Sequence, residues 1–239
     1  MPDRLTIADA IQWAKPTDRR AACVECGSPV VNQQADNPIE IVRQELPRGG
    51  FRAAIFDFDG TLSLIRRNWQ DVMIPMMVEA LVATGTAEPR EALAAHVEDY
   101  VMRLNGRQTI YQMIQLAEEV TQRGGRALEP LEYKHQYHEL LWRQVGRRVE
   151  AIETGRVMPQ EMMVPGAERL LARLADLRVT LYLASGTDLK YVRREAGLLG
   201  LDRFFGPRIY GALDEYKKFS KAMIIEQIIG ETAVDGSQM

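Results

Sequence analysis

Two short hydrophobic runs, each followed at once by polar residues, stand out along the chain. The first comes directly after Arg52 and ends at Phe56, where the sequence Asp57-Phe58-Asp59-Gly60-Thr61 follows. The second, Val179–Ala184, is followed by Ser185-Gly186-Thr187-Asp188. A run that is apolar throughout is typical of a strand buried on both faces of a parallel sheet. The pattern therefore predicts two buried strands that end in polar residues, and a further short strand is predicted at residues 208–210.

Between these two strands, apolar residues recur at the three- and four-residue spacing of helices. Two complete stripes predict one helix after Pro89 and another that ends at Gly124-Gly125: Leu93, Val97, Tyr100, Val101 and Leu104, then Ile110, Met113, Ile114, Ala117 and Val120. A helix capped by Asn68 and kinked at Pro75 is predicted before them, and one from about residue 131 to 149 after them. The sequence thus predicts an all-helical segment at residues 64–155.

After this segment, strands and helices alternate again. Leucines near residues 170–174 predict a helix before the second strand, and Tyr191 and Val192 lie in a predicted helix after it. Another helix is predicted from about Ser220 to Ile229. Alternating strands and helices indicate an α/β protein with a parallel sheet.

Composition and charge limit the classes of partner. The chain has 239 residues, of which 46% are hydrophobic, enough for a folded core, and its net charge is −3. This charge argues against general attraction to nucleic acid or to an anionic membrane. No apolar run approaches the ~20 residues that a membrane span needs, and the first residues lack a signal-peptide core. We therefore expect a cytoplasmic protein of unassigned oligomeric state.

Residues 1–50 differ from the rest of the chain in their scattered prolines and weak periodicity. We predict a partly ordered N-terminal extension there. It contains the only two cysteines, Cys23 and Cys26, in one CxxC motif. A closed zinc site needs four ligands, so a pair of reduced thiols is the preferred interpretation over a metal site.

The polar residues after the first strand predict the chemistry. Asp57 and Asp59 are two positions apart and so point to the same side, at the sheet edge where α/β proteins bind ligands. Asp57 could act as a nucleophile on phosphorus, with Asp59 as the general acid and base. Because two close carboxylates repel each other, we expect a divalent cation between them, and oxygen ligands favour Mg²⁺.

Other polar residues are suited to binding the phosphate. Thr61 offers a hydroxyl and an N–H group, and Ser185 and Gly186 offer the same pair of donors at the end of the second strand. Lys221 follows Ser220, a candidate helix cap, so its ammonium would lie near a helix N-terminus that also favours anions. These groups together suit phosphoryl transfer.

These motifs resemble those of the haloacid dehalogenase (HAD) superfamily of hydrolases. Asp57-Phe58-Asp59-Gly60-Thr61 matches the first family motif, DxDGT, and the strand ending in Ser185 matches the second. The resemblance implies that Asp57 is the nucleophile and a Mg²⁺ ligand. It also implies that Asp59 is the acid and base and binds Mg²⁺ through its carbonyl, and that Ser185 binds phosphate.

The resemblance leaves the third and fourth motifs less clear. The third-motif lysine could be Lys217, Lys218 or Lys221, and we favour Lys221 for its Ser-Lys-Ala context. The fourth motif, an acidic cluster that completes the metal site, has no counterpart after Ile229, because Asp235-Gly236 does not follow an apolar strand. We therefore expect a sequence that stops just before this motif.

The implied fold is α/β, a Rossmann-like HAD core with a parallel sheet plus an inserted all-helical cap domain. We assign residues 51–63 and 156–239 to the core and 64–155 to the cap. The implied function is a Mg²⁺-dependent phosphatase acting on a small phosphorylated metabolite, because a second Asp at position 59 favours phosphate esters. A phosphomutase is an alternative within the enzymes. The alternative of another class is a truncated or degenerate domain that binds phosphate or a protein without turnover.

Overall fold

A three-stranded parallel sheet forms the centre of the computed structural model, which describes residues 50–213, 215 and 220–232. The strands are β1 (Ala53–Phe56), β2 (Thr180–Asp188) and β3 (Ile209–Ala212), in the order β1-β2-β3. Ala53 pairs with Thr180, and Leu183 pairs with Ile209. The predicted α/β class with a parallel sheet is confirmed.

Eight α-helices accompany the sheet in the described residues. Four of them, which we call the inserted helices, lie between β1 and β2: α1 (Gln70–Val82), α2 (Arg90–Arg103), α3 (Thr109–Gln122) and α4 (Pro130–Glu153). The other four follow a short 3-10 helix at Pro159–Met162: α5 (Ala167–Asp176), α6 (Leu189–Leu198), α7 (Asp202–Phe205) and α8 (Lys221–Thr232). Positions 1–49, which make up all but the last residue of the predicted extension and include the CxxC motif, lie outside the described residues.

The inserted helices form because their apolar stripes are buried against one another. The α2 stripe Leu93, Val97, Tyr100 and Val101 is fully buried, and so are Met113 and Leu116 of α3. Gly106 after α2 and Gly124 after α3 take left-handed backbone conformations, with φ of 83° and 76°, which suit glycine at helix ends. The predicted all-helical character of this segment is confirmed.

One predicted helix boundary is wrong. Asn68 does not cap α1, because its φ of 64° places it in the left-handed region and Trp69 occupies the N-cap position. Asparagine tolerates the left-handed conformation better than most residues, and the chain uses Asn68 for a turn before the helix instead. Pro75 lies inside α1, as predicted.

The end of β2 also differs from the prediction. The strand was expected to end at Ala184, yet it continues to Asp188, with a register shift against β3 between these two residues. Gly211 of β3 permits this continuation, because a Cβ atom there would lie only 2.7 Å from the carbonyl oxygen of Thr187. Ser185 and Gly186 therefore lie in an irregular extension of β2 rather than in a loop.

Two connections between the sheet and the inserted helices run side by side. The amide of Leu64 donates to the carbonyl oxygen of Met162 at 2.8 Å, and the amide of Val164 donates to Leu62 at 3.0 Å. Because this pairing lies just beyond β1, the inserted helices are attached at the carboxyl edge of the sheet. None of the helices within residues 50–213 and 220–232 combines the length and apolarity needed to cross a bilayer.

Candidate active site

Five of the predicted site residues line one cavity at the carboxyl edge of the sheet. Asp57 and Asp59 follow β1, Ser185 and Gly186 lie near the end of β2, and Lys221 is the first residue of α8. The fold thus gathers side chains from three separate parts of the chain.

Asp57 lies partly open to the cavity, with 38% of its side chain exposed. Its Oδ1 accepts the backbone N–H of Phe58 at 2.9 Å and lies 3.1 Å from the Lys221 ammonium nitrogen. Ser220 caps α8 as predicted, because its Oγ accepts the amide of Met223 at 3.1 Å. Lys221 is thereby held next to Asp57, whereas positions 217 and 218 lie outside the described residues.

The carboxyl group of Asp59 is more enclosed than that of Asp57. Its Oδ2 accepts the hydroxyls of Thr187 at 2.8 Å and Ser185 at 3.3 Å. Its Oδ1 is buried and has no hydrogen-bond partner among the residues that the structure describes. Burial raises the pKa of Asp59, and this effect exceeds the opposing influence of Arg66 and the two hydroxyls. Asp59 therefore keeps its proton to a higher pH than an ordinary aspartic acid.

A tight turn after β1 brings the two carboxyl groups to the same side. Phe58 between them is fully buried, and its carbonyl oxygen accepts the amides of Thr61, Leu62 and Ser63. Gly60 has a φ of 75°, a conformation that glycine adopts without strain. Thr61 is exposed and is not among the residues that line the cavity. Its role in phosphate binding stays a prediction.

The loop between α2 and α3 lies directly against the end of β2. A Cβ atom on Gly186 would be 2.5 Å from the carbonyl oxygen of Arg107, closer than real Cβ contacts. Glycine is therefore required here for close packing. Asn105, Gly106 and Arg107 of this loop also line the cavity.

A buried ion pair lies behind Asp59. The guanidinium of Arg66 donates to Glu195 through Nη2 at 2.6 Å and through Nε at 3.1 Å to each carboxylate oxygen, and the side chains are only 7% and 1% exposed. Burial alone would lower the pKa of Arg66, but the Glu195 carboxylate offsets this and raises it. Arg66 lines the cavity, and its positive charge acts on Asp59 against the rise in the pKa of that carboxyl group.

Helix α4 provides the opposite wall of the cavity through Tyr137, His138 and Leu141. Burial lowers the pKa of His138 to about 4, although the nearby Asp188 carboxylate opposes this shift. His138 is therefore a neutral imidazole at neutral pH, able to donate one hydrogen bond and accept another.

The metal ligands available in the described part of the chain are few. Within it, no group of three or more His, Cys, Asp or Glu side chains is arranged to hold a metal ion. Among the described residues, Asp57 and Asp59 are the carboxylates that line the cavity. The candidate Asp235 lies outside the described residues.

Several cavity residues were missed by the sequence analysis. Thr187 could have been found, because it lies two positions after Ser185 and residues at that spacing share one side of a strand. Arg66 and Glu195 gave no signal, since their pairing joins positions that are 129 residues apart. His138 lies within the helix predicted from about residue 131 to 149, but helical periodicity does not show that it faces a cavity.

Comparison with known families identifies the class of protein. Residues 51–239 match the family model described as haloacid dehalogenase-like hydrolase. The match covers most of the chain, and the chain therefore belongs to the HAD-like hydrolases. No curated protein matches the sequence.

Two solved structures are similar to this chain, and the first of them supports the fold. A predicted phosphoglycolate phosphatase from Haemophilus somnus 129pt is similar with a TM-score of 0.50 and 15% identity, over 80% of this chain and 76% of that chain. A hydrolase from Streptococcus pneumoniae TIGR4 is similar with a TM-score of 0.36 and 12% identity, over 78% and 80% of the two chains. At such identities, the first likeness supports the fold alone.

Proposed function

We propose that this protein is a Mg²⁺-dependent phosphatase that hydrolyses a small phosphorylated metabolite through an aspartyl-phosphate at Asp57. The supporting observation is the contrast between the two carboxyl groups. Asp57 opens to the cavity beside the Lys221 ammonium, whereas Asp59 is enclosed and has a raised pKa. One suits a nucleophile and the other an acid.

The proposed reaction has two steps, transfer of the phosphoryl group to Asp57 and its hydrolysis. In the first, a carboxylate oxygen of Asp57 bonds to phosphorus as the bond to the leaving alcohol breaks, and Asp59 gives its proton to the leaving oxygen. In the second, the Asp59 carboxylate takes a proton from water, whose oxygen attacks phosphorus and releases Asp57 and phosphate. General acid and base help of this kind is typically worth about 10² to 10⁴ in rate.

The phosphate oxygens are bound by groups at the edge of the cavity. The Ser185 hydroxyl makes only a long bond of 3.3 Å to Asp59, so exchanging it for a phosphate oxygen costs little. The Gly186 N–H and Thr61 are the other proposed donors. Lys221 neutralises charge on the phosphoryl group, and such electrostatic stabilisation is the main source of catalysis in phosphoryl transfer.

The donor set of the cavity fits Mg²⁺. Magnesium prefers oxygen ligands, keeps several waters and often takes only one or two carboxylates. In the described residues, Asp57 uses only Oδ1 for its hydrogen bond and ion pair, so its Oδ2 can serve as a ligand. Asp57 through its carboxylate and Asp59 through its backbone carbonyl would hold the ion, which would supply positive charge to offset the negative charge of the carboxylates and the phosphate.

The inserted helices act as a cap in this proposal, with residues 64–155 as one domain and residues 51–63 and 156–239 as the core. The loop at Arg107 and the α4 side chains Tyr137 and His138 form the cavity wall that faces the core. This wall contacts the organic part of the substrate, whereas the core holds the phosphate.

A substrate panel tests the proposal. The protein is incubated with sugar phosphates, phosphoglycolate and an aryl phosphate, with and without Mg²⁺, and phosphate release is measured. We expect Mg²⁺-dependent release that Asp57→Asn abolishes. Absence of release from every ester, or release that Asp57→Asn leaves undiminished, would contradict the proposal.

A second candidate is a domain of this family that binds phosphate ligands or a partner without turnover. It is favoured by the small set of carboxylates at the cavity within the described residues. Calorimetry with inorganic phosphate and Mg²⁺, run beside the turnover assay, separates the two candidates. Binding without turnover supports the second candidate. A phosphomutase, the alternative within the enzymes, would instead move phosphate between two hydroxyls of a sugar.

A further inference from the structure

A second buried ion pair, between Lys134 and Asp188, joins the inserted helices to the core. The Lys134 Nζ lies 2.6 Å from Asp188 Oδ1, and the two side chains are only 5% and 11% exposed. Taking both charges out of water is unfavourable unless each has the other as its partner. The pair therefore specifies one placement of α4 against the end of β2.

Asp188 does not cap the helix that follows it, although its position is one where aspartate usually forms a cap. It occupies the N-cap position of α6, where aspartate is favoured because it accepts an amide of the first turn. Here its side chain makes no cap hydrogen bond, and its carboxylate binds Lys134 across the interface instead. A substitution at Asp188 therefore removes the cross-link without removing a helix cap.

Lys134 shares one face of α4 with the residues that line the cavity. Tyr137, His138 and Leu141 follow it by three, four and seven positions, the spacing of neighbours along one helix face. The same Asp188 carboxylate also lies near His138, with 3.9 Å between Oδ2 and Nδ1. The ion pair thus fixes the part of α4 that faces the cavity.

We propose that the Lys134–Asp188 pair is a positioning contact that holds the His138 face of α4 over the carboxylates of Asp57 and Asp59. It rests on the proposed function, because positioning matters only if the substrate lies between these two walls. Neither Lys134 nor Asp188 lines the cavity. Both act through the placement of other side chains.

A matched control is an exposed ion pair that also joins α4 to the core. Glu153 of α4 and Arg194 of α6 form an ion pair at 2.8 Å, but their side chains are 42% and 48% exposed. Exposed pairs are screened by water and hold their helices weakly. Glu153→Gln therefore removes an ion pair between α4 and α6 without disturbing the cavity.

The experiment compares Lys134→Met, Asp188→Asn, the double variant Lys134→Met/Asp188→Leu and the control Glu153→Gln in the full chain. Amide hydrogen exchange of residues 130–145 reports the placement of α4 without reference to activity. The kcat and KM for the ester that the unaltered protein hydrolyses best report the positioning.

For each single variant, we expect exchange in α4 to rise by about tenfold or more, and kcat/KM to fall by about tenfold to a hundredfold. The double variant should lose no more kcat/KM than the worse single variant, because the two residues act as one contact. The control should match the unaltered protein in both measurements. The double variant leaves no unpaired buried charge. If a single variant does not fold, the double variant is therefore compared with the control in both measurements.

Two results would overturn the inference. One is α4 exchange in the pair variants that equals that of the Glu153→Gln control. The other is faster exchange with an unchanged kcat/KM. If the unaltered protein hydrolyses no ester, the proposed function fails, whereas the exchange comparison still decides whether the pair holds α4.

Discussion

The two walls of the cavity are held together in different ways. The sheet edge holds Asp57 and Asp59 through a tight turn, in which one buried carbonyl accepts three amides and two hydroxyls fix one carboxyl group. The α4 wall is joined to the core by side chains, among them a buried ion pair. In the proposed function, the sheet edge carries the chemistry, while α4 governs how the substrate is held. Substitutions at the sheet edge should therefore lower kcat, whereas substitutions that displace α4 should lower kcat/KM by changing how the substrate is held.

The largest expected effect belongs to Asp57→Asn, which removes the proposed nucleophile. We expect kcat to fall by roughly 10⁴-fold or more, because an amide cannot form the aspartyl-phosphate. Phosphate release under Mg²⁺ measures this loss. Asp71→Asn, at an exposed position in the first turn of α1, is the control and should keep full activity. Comparable activity in both variants would show that Asp57 is not the nucleophile, and the sheet edge would lose its proposed chemical role.

Asp59→Asn should lower kcat by about 10² to 10⁴, since it removes the general acid and base. It should also stabilise the protein near neutral pH, because burial raises the pKa of Asp59 and makes its ionised form unfavourable in the folded state. The stabilisation should be absent at low pH, where Asp59 is protonated whether folded or unfolded. It should grow as the pH rises through the interval between the ordinary and the raised pKa. Urea unfolding of both proteins at several pH values measures the difference in their free energies of unfolding. A gain in stability confined to low pH would contradict the raised pKa of Asp59.

Glu195→Gln should destabilise the protein by about 3–5 kcal/mol, because it leaves the buried Arg66 charge without its partner. Denaturant unfolding measures the loss. Glu168→Gln, which removes an exposed partner of Arg203, is the control and should change stability little. Equal effects from the two substitutions would mean that the Arg66 pair does not hold the cavity together.

Gly186→Ala tests the contact between the walls themselves. A methyl group there must displace the backbone of Arg107, and such overpacking costs about 1–3 kcal/mol. Thermal unfolding measures the effect. Gly230→Ala in α8, where nothing lies within 4 Å, is the control and should be slightly stabilising. A neutral result at Gly186 would show that the loop at Arg107 moves freely.

The smallest effect is expected from Thr187→Val, which removes one hydrogen bond to Asp59. The loss of stability should be about 1 kcal/mol, with a several-fold fall in kcat, because the Ser185 hydroxyl still binds the same oxygen. Thr187→Ser keeps the hydroxyl and should restore activity. Failure of serine to restore it would indicate that the methyl group, not the hydrogen bond, matters.

The sequence predicted the sheet edge better than the α4 wall, for a physical reason. A strand end places Asp57, Asp59 and Ser185 by local rules of alternation and turn formation, and these rules can be read from adjacent residues. Two predicted boundaries were wrong. Asn68 was predicted as a helix cap but lies in a left-handed turn. The second strand was predicted to end at Ala184 but continues to Asp188, where Gly211 permits close packing.

The cross-links of α4 and Arg66 could not be predicted in this way. Lys134 pairs with a residue 54 positions away and Arg66 with one 129 positions away, so neither partner follows from helical periodicity. Periodicity correctly indicated the buried face of α4, but a lysine on that face reads as a solvated charge until its partner is known.

Chemical trapping of the intermediate tests the central claim most directly. The protein is mixed with an ester that it hydrolyses, treated with hydroxylamine, digested and examined by mass spectrometry. An aspartyl-phosphate reacts with hydroxylamine to give a hydroxamate, so we predict a modified peptide at Asp57 that is absent without substrate and absent in Asp57→Asn. Continued phosphate release with no modification at Asp57, and with Asp57→Asn still active, would contradict it.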